Sequence, residues 1–222
     1  MDDHILPLAT AEVRVLGALV EKSIATPDYY PLSLNALTNA CNQLTNREPV
    51  MALDEADVTR AMDRLREQRL ATCYHGAENR IARYKHTLTD AILLTPAEVA
   101  LLCVLMLRGP QTIGELRSRT ERLFKFDTLS EVEEALNALA TRTPDSLVAK
   151  LPRQPGTKES RYTHLLSGPV ESAALENSVP LKDGTAPAVA DRVAQLETEI
   201  AALRREVAEL QAQFAQFKRQ FE

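Results

Sequence analysis

The chain has 222 residues, a formal net charge of −5 and 45% hydrophobic residues. This composition is ordinary for a folded protein and excludes a wholly disordered chain. The longest apolar run, residues 99–107, is about half of the roughly 20 residues that a membrane-spanning helix needs, so we expect no membrane insertion. The N-terminus carries Asp2 and Asp3 and lacks the pattern of a signal peptide, so we expect a cytoplasmic protein.

The residues that usually carry metal or catalytic chemistry are not arranged for it. Cys41, Cys73 and Cys103 stand far apart and form no Cys-x-x-Cys pair, which argues against a disulfide framework and a structural zinc site. The histidines have no paired spacing, and the sequence has neither a glycine-rich phosphate loop nor a Gly-x-Ser-x-Gly motif. We therefore expect no metal, no cofactor and no enzymatic activity.

Charge is unevenly divided along the chain. Residues 1–90 hold 10 basic and 13 acidic side chains, residues 91–168 hold 10 and 9, and residues 169–222 hold 6 and 9. The three nets are −3, +1 and −3. Any contact with nucleic acid must come from a local basic patch, because the overall field opposes a phosphate backbone.

An internal repeat organises the first three quarters of the sequence. Residues 11–19 and 97–105 align without gaps, and in both the apolar residues recur at the spacing of an amphipathic helix. Thr95, Pro96 and Glu98 predict a capped helix start in the second copy. Two further helices are predicted in each copy, over residues 33–44 and 54–69 in the first and 112–123 and 129–142 in the second. Asp54 is the expected N-cap of the third helix.

Each third helix is followed by alternating apolar and polar residues, the pattern of a β-hairpin. The predicted strands are residues 70–74 with 80–88, and residues 147–151 with 161–166. Both hairpins end on the same motif, Arg-Tyr-x-His, at residues 83–86 and 161–164. Three helices and a hairpin, repeated, predict a mainly α fold with small β-hairpin wings (α+β), as two tandem winged-helix domains over residues 1–90 and 91–167.

The last part of the sequence predicts a linker and a coiled coil. Residues 168–188 are rich in Pro, Gly, Ser and Asn without periodicity, as in a flexible linker. Residues 189–222 then place apolar side chains alternately 3 and 4 apart, the a and d positions of a dimerisation helix. They are Val193, Leu196, Ile200, Leu203, Val207, Leu210, Phe214, Phe217 and Phe221.

Several segments resemble a known family. Residues 30–43 (YPLSLNALTNACNQ), 46–50 (NREPV), 151–156 (LPRQPG) and 161–166 (RYTHLL) are similar to the YceH family of uncharacterised bacterial proteins. The resemblance covers about residues 8–168. It implies a tandem winged-helix fold and a bacterial origin, and it supplies no catalytic residue.

The third helix of the first repeat is the candidate DNA-binding element, because a winged helix places this helix in the major groove. Arg60 and Arg64 lie one turn apart on its outward face, from which bidentate contacts to guanine are possible. The further candidate contacts are Arg47, Arg80, Arg83 and Lys85. Between the second and third helices, Asn42, Gln43, Asn46 and Arg47 are equally compatible with turn capping.

Two alternatives remain open. The arginines of the third helix could simply pair with Asp57, Asp63 and Glu67 along a solvated face, where such pairs contribute only tenths of a kcal/mol. The second repeat has three acids at the start of its third helix, Glu131, Glu133 and Glu134, which would repel phosphate. The same acids also suit the positive end of the helix dipole and are equally compatible with capping, and this repeat could bind a protein or touch DNA by a different face. The acidic helix and the acidic net charge favour an adaptor that binds an unidentified protein. Binding to defined duplex DNA would support a regulator, and co-purification with one protein partner without DNA would support the adaptor.

The coiled-coil pattern predicts a parallel homodimer. Beta-branched residues at the a positions and leucines at the d positions favour two parallel strands, as Val193 with Leu196 and Ile200 with Leu203 illustrate. In a sedimentation experiment, the intact chain should dimerise and a chain that ends at Gly168 should be monomeric. The three phenylalanines at the end of the pattern could instead favour a higher oligomer. If both chains are monomeric, the prediction is wrong.

Overall fold

The computed structural model describes residues 7–75, 82–153 and 159–169, all within one compact unit, Met1–Glu171. In the first repeat, three helices precede an antiparallel hairpin: α1 (Thr10–Ala25), α2 (Leu34–Cys41), α3 (Glu55–Glu67), β1 (Ala71–His75) and β2 (Ala82–His86). The second repeat follows the one-turn helix α4 (Leu88–Ala91) and contains α5 (Pro96–Arg108), α6 (Ile113–Arg119), α7 (Leu129–Ala140), β3 (Val148–Lys150) and β4 (Tyr162–His164). The prediction of a mostly helical α+β fold with small hairpins is confirmed.

Helix starts agree with the predicted caps. The Asp54 side chain accepts a hydrogen bond from the Asp57 amide at 2.7 Å, and the Asp57 carboxylate accepts one from the Asp54 amide at 3.1 Å. At α5, the Thr95 hydroxyl accepts from the Glu98 amide at 3.3 Å, while Glu98 accepts from the Thr95 amide at 2.7 Å. Reciprocal bonds of this kind satisfy amides that the first turn leaves without helical partners.

Several elements end before their predicted last residue, and helix α6 and strand β2 are two of them. Helix α6 stops at Arg119, four residues before the predicted end at Leu123. The strand predicted over residues 80–88 ends at His86, because the Thr87 amide turns back to the Leu70 carbonyl at 2.8 Å and Leu88 begins α4 as a fully buried side chain. Local periodicity does not register such tertiary contacts, which decide where an element ends.

The repeated tyrosine joins each hairpin to a third extended segment. The Tyr84 amide and carbonyl bond to the Leu32 carbonyl and amide at 2.8 and 3.1 Å. In the second repeat, Tyr162 makes the same pair of bonds with Gln111, at 2.7 and 3.0 Å. Each connection between the first two helices of a repeat is thereby bridged to the second strand of its hairpin.

The arginine of the repeated motif supports the same junction. Arg83 Nη1 donates to the Pro31 carbonyl at 3.4 Å, and Arg161 Nη1 donates to the Pro110 carbonyl at 3.1 Å. Each proline immediately precedes the residue that bridges to the hairpin. Since the two repeats share this contact, the arginine of Arg-Tyr-x-His has a structural function in both.

The histidine of the motif lies against the interior. The His86 main-chain amide donates to the Tyr30 hydroxyl at 2.7 Å, and its Nε2 is 3.0 Å from the Ser23 hydroxyl. Burial lowers the pKa of His86, and it lowers the pKa of His164 to about 4. Both rings are therefore neutral in the folded protein at pH 7.

The two repeats share one hydrophobic core, centred on α1 and α5. Every residue of α5 from Glu98 to Leu107 is buried, so this helix presents apolar side chains on all sides. At Gly17 of α1, an added Cβ would lie 2.9 Å from the Leu107 side chain and 3.1 Å from Cβ of Met106. The Cys103 thiol donates to the Gly17 carbonyl at 3.6 Å. A residue without a side chain thus permits close approach of the two helices.

The predicted coiled coil at residues 189–222, including Val193 and Leu196, lies outside the described residues, as does nearly all of the predicted linker. The homodimer and the proposed domain boundaries at residues 90 and 167 stay predictions.

Filling the contact at Gly17 should loosen the joint core. Gly17→Val would force the side chains of Leu107 and Met106 aside, and we expect the free energy of unfolding to fall by about 1–3 kcal/mol. The matched control is Gly114→Val, because an added Cβ at Gly114 meets no atom within 4 Å. This control should stay within about 0.5 kcal/mol of the wild type. Urea titration measures both, and equal stability of the two variants would contradict the close approach.

Burial of His164 should make the fold sensitive to acid. Between pH about 4 and 6.5, the unfolded chain binds a proton at this histidine that the folded chain does not bind, so stability is lost as the pH falls through this window. From pH 7 to 5 we expect His164 to account for a loss of about 1–2 kcal/mol. His164→Gln should flatten the dependence of unfolding free energy on pH below 7 and leave the slope from pH 8 to 7 unchanged. An unaltered slope below pH 7 would refute the assignment.

Candidate nucleic-acid interface

Helix α3 separates an apolar face from a charged one. Val58, Ala61, Met62 and Leu65 are buried against α1 and α2. The guanidinium groups of Arg60 and Arg64 lie on the other side, with side chains 70% and 69% exposed. Four residues apart, they share one helical face. The structure therefore brings the two predicted base-reading residues together on an open surface.

The exposed arginines of α3 take part in ion pairs within the helix. Arg60 pairs with Asp57, Arg64 Nη1 lies 3.3 Å from the Glu67 carboxylate, and the neighbouring Arg66 Nη1 lies 3.2 Å from the Asp63 carboxylate. These are the pairs expected of a solvated helix. Exposed pairs of this kind contribute about 0.2–1 kcal/mol, so they would cost little to exchange for a stronger anion such as phosphate.

Strand β2 places the hairpin candidates beside one another. Arg83 and Lys85 alternate with Tyr84, whose ring packs against the core, so the two basic residues belong to the opposite face of the strand. Lys85 pairs with Thr72 through the main chain of the hairpin, and its side chain makes no hydrogen bond or ion pair with any residue that the structure describes. Arg83 is already engaged with the Pro31 carbonyl, at 3.4 Å. Arg80 lies outside the described residues.

The expected role of Arg47 needs correction. Its side chain has no exposed surface and its Nη1 and Nη2 donate to the Glu21 carboxylate at 3.2 and 2.6 Å. Its Nε and Nη2 also donate to the Ala40 carbonyl, at 3.1 and 2.8 Å. A guanidinium enclosed in this way cannot reach a phosphate or a base without unfolding its surroundings. We therefore remove Arg47 from the DNA-contact residues and assign it to the structure of the connection between α2 and α3.

Asn42 and Asn46 also serve that connection. The Asn42 amide group donates to the Leu53 carbonyl at 2.7 Å and accepts from the Leu53 amide at 2.9 Å. Asn46 adopts a positive φ of 60° and accepts a hydrogen bond from Arg108. An asparagine tolerates this backbone conformation better than most residues. The turn-capping interpretation therefore describes these two asparagines.

Sequence reasoning missed one residue that holds this connection in place, Arg14. This arginine of α1 is 2% exposed, and it donates to the Cys41 carbonyl at 3.0 Å and to the Pro49 carbonyl at 2.6 Å. Burial lowers its pKa. The available signal was an arginine between Val13 and Val15 in an otherwise apolar run, residues 13–20.

The equivalent helix of the second repeat, α7, has an acidic start. Glu131, Glu133 and Glu134 are all exposed. The Glu131 amide donates to the Thr128 hydroxyl at 3.2 Å, and its carboxylate accepts from the Asp127 amide at 3.1 Å. Glu131 thus caps the helix as the dipole favours. The other two carboxylates leave this end of α7 negative.

The cysteines give no sign of a reactive or metal site. Cys41 and Cys103 are buried, and burial raises the pKa of Cys41 to about 12. Within residues 7–75, 82–153 and 159–169, no three His, Cys, Asp or Glu side chains form a group that could hold a metal ion. In the same ranges, no helix is long and apolar enough to span a membrane.

Comparison with known proteins places the chain in a family. Residues 8–157 match the family model described as "Protein of unknown function, DUF480". A UPF0502 protein of Citrifermentans bemidjiense is 56% identical over 189 residues, which cover 85% of this chain and 86% of the relative. One from Opitutus terrae is 51% identical over 199 residues, with 90% and 84% coverage, and one from Geobacter sulfurreducens is 50% identical over 195 residues, with 87% and 88% coverage. UPF0502 is the family that the sequence motifs indicated under the name YceH. The chain belongs to this family of bacterial proteins, DUF480 or UPF0502.

Proposed function

We propose that the protein is a cytoplasmic winged-helix regulator that binds duplex DNA through the first repeat and forms a homodimer through its C-terminal helix. The observation that carries the proposal is the outward face of α3, where Arg60 and Arg64 stand one turn apart with about 70% of each side chain exposed. Two adjacent guanidinium groups match the paired acceptors of guanine in the major groove.

The order of elements supports a tandem winged-helix organisation. Each repeat has three helices and a hairpin, and in each the segment after the first helix bridges to the second strand, at Leu32 with Tyr84 and at Gln111 with Tyr162. In this fold the third helix enters the groove and the hairpin lies beside the DNA backbone. Lys85 on β2 is then the described residue best placed to contact a phosphate.

The net charge of the protein determines which contacts can supply affinity for DNA. With a net charge of −5, long-range attraction to DNA is weak, and affinity must come from the local contacts of α3 and the hairpin. A homodimer would add a second α3 and make the site bipartite. The predicted linker would let the spacing of the half-sites vary.

An adaptor that binds a protein is the second candidate, and one feature of α7 favours it. Leu129 is 48% exposed beside the acidic Glu133, and both line a cleft of about 420 Å³ that also includes Lys150 and Tyr162. This cleft would offer a protein partner an apolar contact at Leu129 and charged contacts at Glu133 and Lys150.

Substitution of the two α3 arginines tests the DNA proposal. After selection of a preferred sequence from a random duplex library, Arg60→Ala or Arg64→Ala should each weaken binding by about 1–3 kcal/mol and relax discrimination. Lys85→Ala should weaken all sequences alike and flatten the salt dependence. Fluorescence anisotropy measures these affinities.

The matched control is Arg66→Ala, which removes the same charge and a similar ion pair from another side of α3. It should leave discrimination between sequences intact. Replacing Glu131, Glu133 and Glu134 by Gln should keep or raise DNA affinity but abolish binding of a protein to α7. Failure to enrich any motif, or equal binding by the Arg60→Ala/Arg64→Ala double variant, would reject DNA binding in favour of the adaptor.

A further inference from the structure

A cleft of about 900 Å³ separates parts of the two repeats. Its walls come from the end of α1, the connection after α2, the last turn of α5, and α6 with the turn that follows it. The volume falls in the range of small-molecule sites in proteins, about 300–1,000 Å³. We call it the inter-repeat cleft.

The lining of the inter-repeat cleft is mainly basic. It contains four cationic side chains, Lys22, Arg108, Arg119 and Arg122, and two carboxylates, Glu21 and Glu121. Glu21 is already neutralised from behind by the buried Arg47, at 2.6 Å. The cations therefore outnumber the carboxylates that remain available to balance them.

Of the four cations, Lys22 and Arg119 each lie near a carboxylate, whereas Arg108 and Arg122 form no ion pair within the described residues. Lys22 lies 3.5 Å from Glu21, and Arg119 lies 3.3 Å from Glu115. Arg122 makes no ion pair within the described part of the chain. The Arg108 guanidinium makes no ion pair with a described residue and donates to a neutral group, the side-chain oxygen of Asn46.

The electrostatic environment of Arg108 also favours the binding of an anion. Burial lowers the pKa of Arg108 and repulsion from Arg119 and Arg47 lowers it further, while the carboxylates of Glu21 and Glu48 act in the opposite direction. An anion placed among these groups would relieve the repulsion. Guanidinium groups bind phosphate and carboxylate in a paired geometry, and such charge-assisted bonds are about twice as strong as neutral ones.

We propose that the inter-repeat cleft binds a small organic polyanion with two or more phosphate or carboxylate groups, held chiefly by Arg108 and Arg122 and aided by Lys22. Because these residues come from both repeats, the ligand links the two halves of the fold and stabilises it by binding only the folded state. The site is separate from the exposed face of α3 and does not depend on DNA binding.

Titration of the full chain with pyrophosphate and with citrate, at constant ionic strength, tests the proposal. Calorimetry should show one site per chain for at least one of the two anions, with a matching rise in Tm. Pyrophosphate binding alone identifies a phosphate-bearing ligand, and citrate binding alone a carboxylate-bearing one. Arg122→Gln should weaken binding by about tenfold or more, as expected for loss of a hydrogen bond to a charged group.

The control is Arg117→Gln, which removes an exposed charge from α6 outside the cleft lining and should leave affinity unchanged. Arg108→Gln should weaken binding as Arg122→Gln does. Arg122 is exposed, so its variant keeps the test valid if loss of Arg108 disturbs folding. Absence of binding by both anions, or an equal loss in Arg117→Gln, would overturn the site. Competition by a short duplex DNA that is sensitive to Arg122→Gln would instead make the cleft part of a nucleic-acid surface.

Discussion

The connection between α2 and α3 is held to α1 by two buried guanidinium groups, and the placement of α3 depends on them. Arg47 donates to the Ala40 carbonyl and pairs with Glu21, while Arg14 donates to the Cys41 carbonyl. These carbonyls end α2, where no helical partner is available. One amide of the same connection, that of Glu48, donates to the Leu107 carbonyl of α5 at 2.8 Å. The segment that leads into α3 is therefore fixed to both repeats.

This constraint explains which parts of the molecule could be predicted from the sequence. The helix periodicity, the caps at Asp54 and Thr95 and the two hairpins depend on near neighbours, and the structure has them. Arg47 could not be placed, because its ionic partner Glu21 is 26 positions away in sequence. Arg83, predicted as a DNA contact, donates to the Pro31 carbonyl, and its match with Arg161 in the repeated motif is the sequence feature that indicates this shared contact. Charge alone does not reveal whether the side chain of an arginine faces solvent or donates hydrogen bonds to main-chain carbonyls.

The repeats agree in their backbone connections and differ in their charged surfaces. The contacts that build the hairpin junction are the same at Tyr84 and Tyr162, whereas the exposed arginines of α3 have no counterpart in α7. Both third helices begin with acidic residues. Shared contacts thus maintain the fold, and the exposed side chains are free to diverge. The proposed roles of the two repeats differ for this reason, and the basic cleft between them uses residues from each.

The burial of α5 on every side has a consequence for how such a protein can change over evolutionary time. A helix with apolar residues all round its axis is covered partly by its own repeat and partly by α1 of the other. Loss or exchange of either repeat would leave a large apolar surface in contact with water. We therefore expect the two repeats to be retained together, as one folding unit, even where their surfaces differ.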